Sequence, residues 1–118
     1  MKEILLSVVL LLIAPLSLAA SDGPDPQFIV HFSTGPSWAD SLPPGEQPGF
    51  REHSENLNRL RSDGVIQFGA RYDEYGMLVV RSASEQAVRD LLDEDPGVKT
   101  GIFVFSIAPL QVFYPWRD

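Results

Sequence analysis

The sequence predicts an α+β fold of the ferredoxin-like type, βαββαβ, in which a four-stranded antiparallel sheet carries two helices on one face. Segments with a two-residue apolar period and segments with a helical period alternate in the order strand, helix, strand, strand, helix, strand. Right-handed crossovers then place the two halves of the chain side by side in one sheet. At 118 residues the chain is expected to form one domain.

The first 26 residues precede the predicted domain. An apolar run over residues 4–18 is followed by small residues, and Ser17-Leu18-Ala19 has small side chains at the −3 and −1 positions. This pattern predicts a secretory signal peptide over residues 1–19, cleaved after Ala19 or, as second choice, after Ala20. The alternative is an uncleaved anchor, which the run disfavours because it is shorter than the ~20 residues of a spanning helix. Residues 20–26 are interpreted as a linker and residues 27–116 as the domain, expected to be secreted or periplasmic.

The first strand is predicted over residues 27–33. Both of its faces are largely apolar, which favours a central position in the sheet. His31 lies on the face opposite to Phe28, Val30 and Phe32, and the alternation alone leaves open whether it faces a pocket or the inside of a dimer. The loop over residues 34–48 is rich in Gly and Pro, carries Trp38, and is long enough to be a lid or pocket wall.

A helix followed at once by a strand is predicted between residues 47 and 72. One helix face holds residues at positions i, i+3, i+7 and i+10, namely Phe50, His53, Leu57 and Leu60. Gly64 follows where helices commonly end in a left-handed residue. The period of two after it predicts that Ile66, Phe68, Ala70 and Tyr72 share one face of the second strand.

The second half of the chain is predicted to contain a strand, a helix and a further strand. A hairpin turn is predicted over residues 73–76 and a third, central strand over residues 77–81. Ser84 is the expected N-cap of a helix over residues 85–94, which Asp95-Pro96-Gly97 should end. The last strand is expected to start at Ile102 and to continue past Pro109 to Tyr114.

The charge and the cysteine content limit the partners and the support of the fold. The net charge is −7, which makes a nucleic-acid partner or an anionic membrane surface unfavourable after signal cleavage. No cysteine is present, so the core must hold the fold without disulfides. Apolar residues on both faces of the first and third strands need a cover on the side away from the helices. A second copy of the chain is the simplest one, so a homodimer is expected.

Six pieces in a fixed order resemble the YCII-related family of dimeric α+β barrel proteins, and together they span residues 27–113. They are FIVHF, GPSW, FREHSENLNRL, DGVIQFGA, SEQAVRDLLDEDP and KTGIFVFSIAPLQVF. The resemblance implies a recurrent His and Asp suggestive of an enzyme, although no reaction is assigned to most members. Gly69-Ala70 stands where the family has Gly-Pro, so the pocket rim is expected to differ in shape.

The resemblance places the functional His at His53 and the Asp at Asp95, with Asp63 as second candidate. Imidazole accepts and releases protons near neutral pH, which suits a general acid/base, whereas a buried histidine can also be only packed. A ligand pocket between helix and sheet is expected, and the residues predicted to line it are His31, Trp38, Phe50, Phe68 and Gly69.

No metal or cofactor is expected. Two histidines with no cysteine lack the spacing of a transition-metal site, and Gly-rich phosphate loops are absent from the sequence. Three hypotheses remain open: a small-molecule enzyme with isomerase- or lyase-type proton transfer, a small-ligand binding module, and a structural homodimer without catalysis.

Overall fold

The computed structural model describes residues 23–117, so the predicted signal peptide, both cleavage sites and the first part of the linker lie outside the described residues. The strands are β1 (Gln27–Thr34), β2 (Ile66–Tyr72), β3 (Tyr75–Arg81) and β4 (Phe103–Leu110). The helices are α1 (Phe50–Ser62), α2 (Glu85–Asp93) and the short α3 (Pro96–Lys99). A single 3₁₀ turn, Pro44–Glu46, interrupts the loop between β1 and α1.

The four strands form one antiparallel sheet in the order β2-β3-β1-β4. The two strands that are apolar on both faces, β1 and β3, are the central ones, as predicted. The chain therefore has the predicted α+β fold of the ferredoxin-like type.

The core lies between one face of the sheet and the helices. It combines Phe28, Val30 and Phe32 of β1 with Leu60 of α1 and the α2 pair Val88 and Leu92. α1 packs against β2 and α3, whereas α2 packs against β4 and α3. Ser84 caps α2 as predicted, since its hydroxyl accepts a hydrogen bond from the Ala87 backbone N–H at 3.1 Å. α1 ends at Ser62, and Gly64 follows the end of the helix with φ +83°, as predicted.

Three features differ from the predictions by more than one residue. The hairpin turn is only two residues long, because Tyr72 already pairs with Tyr75 and Asp73 adopts φ +54°. α2 is followed by α3 rather than by an irregular link, since Pro96 is suited to the first position of a new helix. β4 ends at Leu110, and residues 111–117 leave the sheet instead of extending the strand.

A β-bulge in β2 changes the faces predicted for that strand. Ile66 pairs with Val80 but Phe68 pairs with Val79, so Gln67 is an extra residue in the ladder. Side chains after it therefore lie on the opposite face from the one that simple alternation gives. The prediction that Ile66 shares a face with Phe68, Ala70 and Tyr72 is wrong, since only Ile66 lies on the helix side.

The sheet face that carries no helix, called the open face below, is partly apolar. It holds Phe68, Tyr72 and Val104, whose exposed fractions are 46%, 47% and 45%. His31 lies on this face as well, with its ring 4.8 Å from the ring of Tyr75 and 6.0 Å from that of Tyr72. Within residues 23–117, no helix combines the length and the apolar composition needed to cross a membrane.

Candidate active site

His53 and Asp95 form a buried hydrogen-bonded pair. The His53 Nδ1 lies 2.6 Å from the Asp95 Oδ2, although 42 positions separate the two residues in the chain. His53 is 7% exposed and Asp95 is completely buried. A completely buried carboxyl group is costly unless hydrogen-bond donors surround it, so the other partners of Asp95 matter as well.

The position of Asp95 follows from its role as N-cap of α3. Its backbone is extended, Pro96 occupies the first helical turn, and its Oδ2 accepts from the backbone N–H of Gly97 at 2.9 Å and of Val98 at 3.3 Å. These are N–H groups that a helix start leaves without intrahelical partners. The cap therefore fixes the carboxylate toward α1, where His53 lies.

Asn56 completes the set of donors to Asp95. It lies one helical turn after His53 on the same face of α1, and its Nδ2 donates to the Asp95 Oδ1 at 2.6 Å. Its Oδ1 in turn accepts a hydrogen bond from the Arg59 guanidinium. Asn56 is 7% exposed, so this contact replaces water at the second carboxylate oxygen. Each oxygen of Asp95 thus has its own donors.

This arrangement selects one tautomer of His53. An ionised carboxylate only accepts hydrogen bonds, so Nδ1 must carry the proton that bonds to Asp95. In the neutral ring, Nε2 is then the unprotonated nitrogen. No residue in 23–117 forms a hydrogen bond to Nε2, and the ring lines a cavity that Asp95 does not reach. A nitrogen in this state can accept a proton from a ligand in the cavity.

The cavity has a volume of about 490 Å³ and opens to solvent. Its roof is the α1 face that carries Phe50, His53 and Leu57. Its floor is the sheet around Gly69 and Gly76, which lie on the helix side of β2 and β3, beside Leu78 and Phe32 respectively. Neither glycine has a side chain that could project from the sheet into the cavity.

Aromatic side chains form the inner wall beside His53. The Phe103 ring centroid is 4.7 Å from the imidazole, and the Phe32 ring meets it edge-on at 5.6 Å. Trp38, from the long loop, packs on Phe103 with centroids 5.7 Å apart. These contacts limit the rotation of the imidazole about χ2 and present an apolar surface to a ligand.

Gln47 holds the loop that carries Trp38. Its side chain is buried, accepts from the Ala39 N–H at 2.9 Å, and donates to the carbonyl oxygens of Ala39 at 2.7 Å and Leu42 at 3.0 Å. Long connections are generally more mobile than the elements that they join, and these three bonds tie the end of this loop to its middle. The loop is therefore a fixed wall of the cavity, with Trp38, Asp40 and Pro44 lining it.

The structure brings only part of the predicted set together. Trp38, Phe50 and Gly69 line the cavity with His53, whereas His31 and Phe68 do not, because both lie on the open face. His31 is there by strand alternation, and Phe68 is there because of the bulge at Gln67. Asp63, the second candidate partner of His53, is exposed at the end of α1 and forms no contact with it.

Two residues of this region were not singled out from the sequence. Asn56 could have been noticed, since its i+3 spacing from His53 places it on the same helix face. Arg71 lines the cavity too, but the bulge reverses the face that alternation assigns to it. No sequence signal marks that bulge.

The polar groups of the described region do not suggest a metal centre. Among residues 23–117 no group of three or more His, Asp or Glu side chains could hold a metal ion.

Compared with models of known protein families and with curated proteins, the chain matches none.

Proposed function

We propose that the chain is an exported, YCII-related small-molecule enzyme in which His53 transfers a proton and Asp95 orients and charges it. The observation that carries this proposal is the buried 2.6 Å contact between His53 Nδ1 and Asp95 Oδ2, beside a cavity lined by the imidazole. The family assignment depends on the six sequence pieces above. Export depends on the N-terminal sequence alone.

The proposed chemistry starts with Nε2 of the neutral ring. It accepts a proton from an acidic C–H or O–H of the ligand, and the electron pair of the broken bond stays on the ligand. The imidazolium that forms is stabilised by the adjacent, completely buried Asp95 carboxylate, whose Oδ2 lies 2.6 Å from Nδ1. Returning the proton to another ligand atom gives an isomerisation, and loss of a leaving group instead gives a lyase reaction.

A second copy of the chain is proposed to cover the open face. Phe68, Tyr72 and Val104 are each about half exposed there, which supports burial in an isologous interface. Val104→Lys would place a charge in that interface and is expected to give a monomer by light scattering, whereas Lys at the exposed position Glu52 of α1 should not. A monomeric wild-type protein at micromolar concentration contradicts the dimer.

The proton-transfer proposal is tested by solvent deuterium incorporation. The full chain is incubated in D₂O with a panel of small carbonyl compounds that have an acidic C–H, and loss of the C–H signal is followed by proton NMR. His53→Gln is expected to slow exchange on the order of 10²–10⁴-fold, the usual share of a general base. His31→Gln is the matched control, because His31 is the other histidine and lies on the open face.

The outcomes separate the hypotheses. Exchange at the wild-type rate in His53→Gln contradicts the catalytic role. Saturable binding of panel compounds without exchange in the wild type favours a binding module, which the size of the cavity would also permit. Absence of both, with the His53–Asp95 contact intact, favours a structural homodimer.

A further inference from the structure

Arg71 is an exposed cation that lines the cavity and that the proton-transfer chemistry does not use. It lies on the helix side of β2, where its cross-strand neighbour is Gly76, so no side chain opposite it fills the space above the sheet. It forms no ion pair with a carboxylate of residues 23–117. By contrast, Arg51 and Arg89 both pair with a glutamate one turn away on their own helices.

The same cavity offers aromatic surface next to the imidazole. Phe50, Phe103 and Trp38 line it. The ring centroid of Phe103 lies 5.7 Å from that of Trp38 and 6.2 Å from that of Phe50. A flat or apolar ligand body would gain burial against these rings. The guanidinium would bind a planar anionic group through paired N–H donors.

We propose that the cavity takes a small monocarboxylic acid whose carboxylate binds Arg71 and whose apolar, planar body lies against Phe50, Phe103 and Trp38. This inference deepens the proposed function and depends on it, because the body of the ligand then lies beside His53. The carboxylate end binds and orients the ligand, and the acidic C–H belongs to the part next to the imidazole.

Two carboxylates in the cavity wall limit the charge of this ligand. Asp40, from the loop before α1, and Glu74, from the β2–β3 turn, line the same cavity and are both exposed. They would repel a second negative charge on the ligand. A monoacid is therefore favoured over a diacid with the same body.

Binding is tested with three matched probes on the full chain: phenylacetate, phenylacetamide and phenylmalonate. The two tryptophans give separate indole N–H signals in a ¹H–¹⁵N correlation spectrum, and Trp38 lines the cavity whereas Trp116 is 87% exposed. Phenylacetate should shift the Trp38 signal saturably and bind about tenfold more tightly than phenylacetamide, as a charge-assisted contact allows. Phenylmalonate should bind more weakly than phenylacetate, and the Trp116 signal should stay in place.

Arg71→Met should reduce the preference for phenylacetate over the amide to about twofold or less, because the contact with the carboxylate is gone. Arg71→Lys should retain part of the preference, since it keeps the charge but loses the paired donors. Arg51→Met is the matched control, because the Arg51 side chain is 83% exposed on α1 and the substitution removes the same charge. Its preference should equal that of the wild type.

Failure of this inference differs from failure of the proposed function. Equal affinity for the acid and the amide, or an unchanged preference in Arg71→Met, overturns the carboxylate assignment and leaves His53 chemistry untouched. No saturable shift of Trp38 with any probe overturns this inference, whereas deuterium exchange dependent on His53 would still uphold the proposed function. Tighter binding of phenylmalonate contradicts the limit that Asp40 and Glu74 set.

Discussion

Replacing Asp95 by Asn tests whether the buried carboxylate organises the site. Its Oδ2 accepts from His53 and from two backbone N–H groups, and its Oδ1 accepts from Asn56. An amide has only one oxygen, so its NH₂ must face a donor. The least costly orientation keeps the oxygen toward His53 and the α3 start, and it sets two NH₂ groups against each other at Asn56.

The expected loss follows from these contacts. The charge-assisted hydrogen bonds become ordinary ones and a buried donor is left without an acceptor, each effect contributing on the order of 1–3 kcal/mol. Because the two effects share the same groups, we expect Asp95→Asn to lower the free energy of unfolding by about 3 kcal/mol. Rotating Asn56 gives no escape, since its NH₂ would then face the Arg59 guanidinium.

Urea unfolding followed by circular dichroism measures this loss, and proton NMR of the imidazole reports the tautomer. Asp63→Asn is the matched control, because the Asp63 side chain is exposed and the helix end is held by its backbone N–H. Its effect should stay within about 0.5 kcal/mol. A loss below about 1 kcal/mol in Asp95→Asn, with Nδ1 still bonded, would refute the view that the four donors require a carboxylate.

Two further variants test how the surroundings hold the site. Gly97→Ala would place a Cβ 2.9 Å from the His53 Nδ1. Because Asp95 fixes the ring, we expect overpacking to lower the free energy of unfolding by about 1–3 kcal/mol and to shift the imidazole NMR signal. Unchanged stability and an unchanged signal would show that the ring is free to move. Gln47→Ala removes three hydrogen bonds to the loop. The free energy of unfolding should therefore fall by about 2 kcal/mol, and exchange of the Ala39 amide hydrogen should accelerate. Unaltered exchange of that amide would contradict the view that Gln47 holds the loop in place.

The fold could be predicted because its signals are local. The apolar faces of β1 and β3 identify central strands, and Ser84 and Gly64 mark helix ends through the same backbone chemistry in any protein. α3 was missed because four residues carry too little periodicity to be recognised. Its N-cap Asp95 was nevertheless singled out, because the family resemblance places the functional Asp at this position.

The site was less predictable because it depends on contacts between distant parts of the chain. The pair of His53 and Asp95 was suggested only by resemblance, and a spacing of 42 positions gives no local signal. Three of the five predicted lining residues line the cavity, and Phe68 does not because one extra residue at Gln67 exchanges the two faces of β2. Alternation along a strand cannot reveal such an insertion.

The bulge at Gln67 also decides whether there is any empty volume to occupy. Drawn as a regular ladder from Ile66, the same strand would set Phe68, Ala70 and Tyr72 beneath α1 and turn Gly69 and Arg71 toward the open face. The rings of Phe68 and Tyr72 would then lie on the helix side of the sheet, where Gly69 lies now. The Arg71 guanidinium would lie on the face away from His53. With the bulge, the strand presents small and polar residues to the cavity. Without it, the same strand would present aromatic side chains that fill the interior.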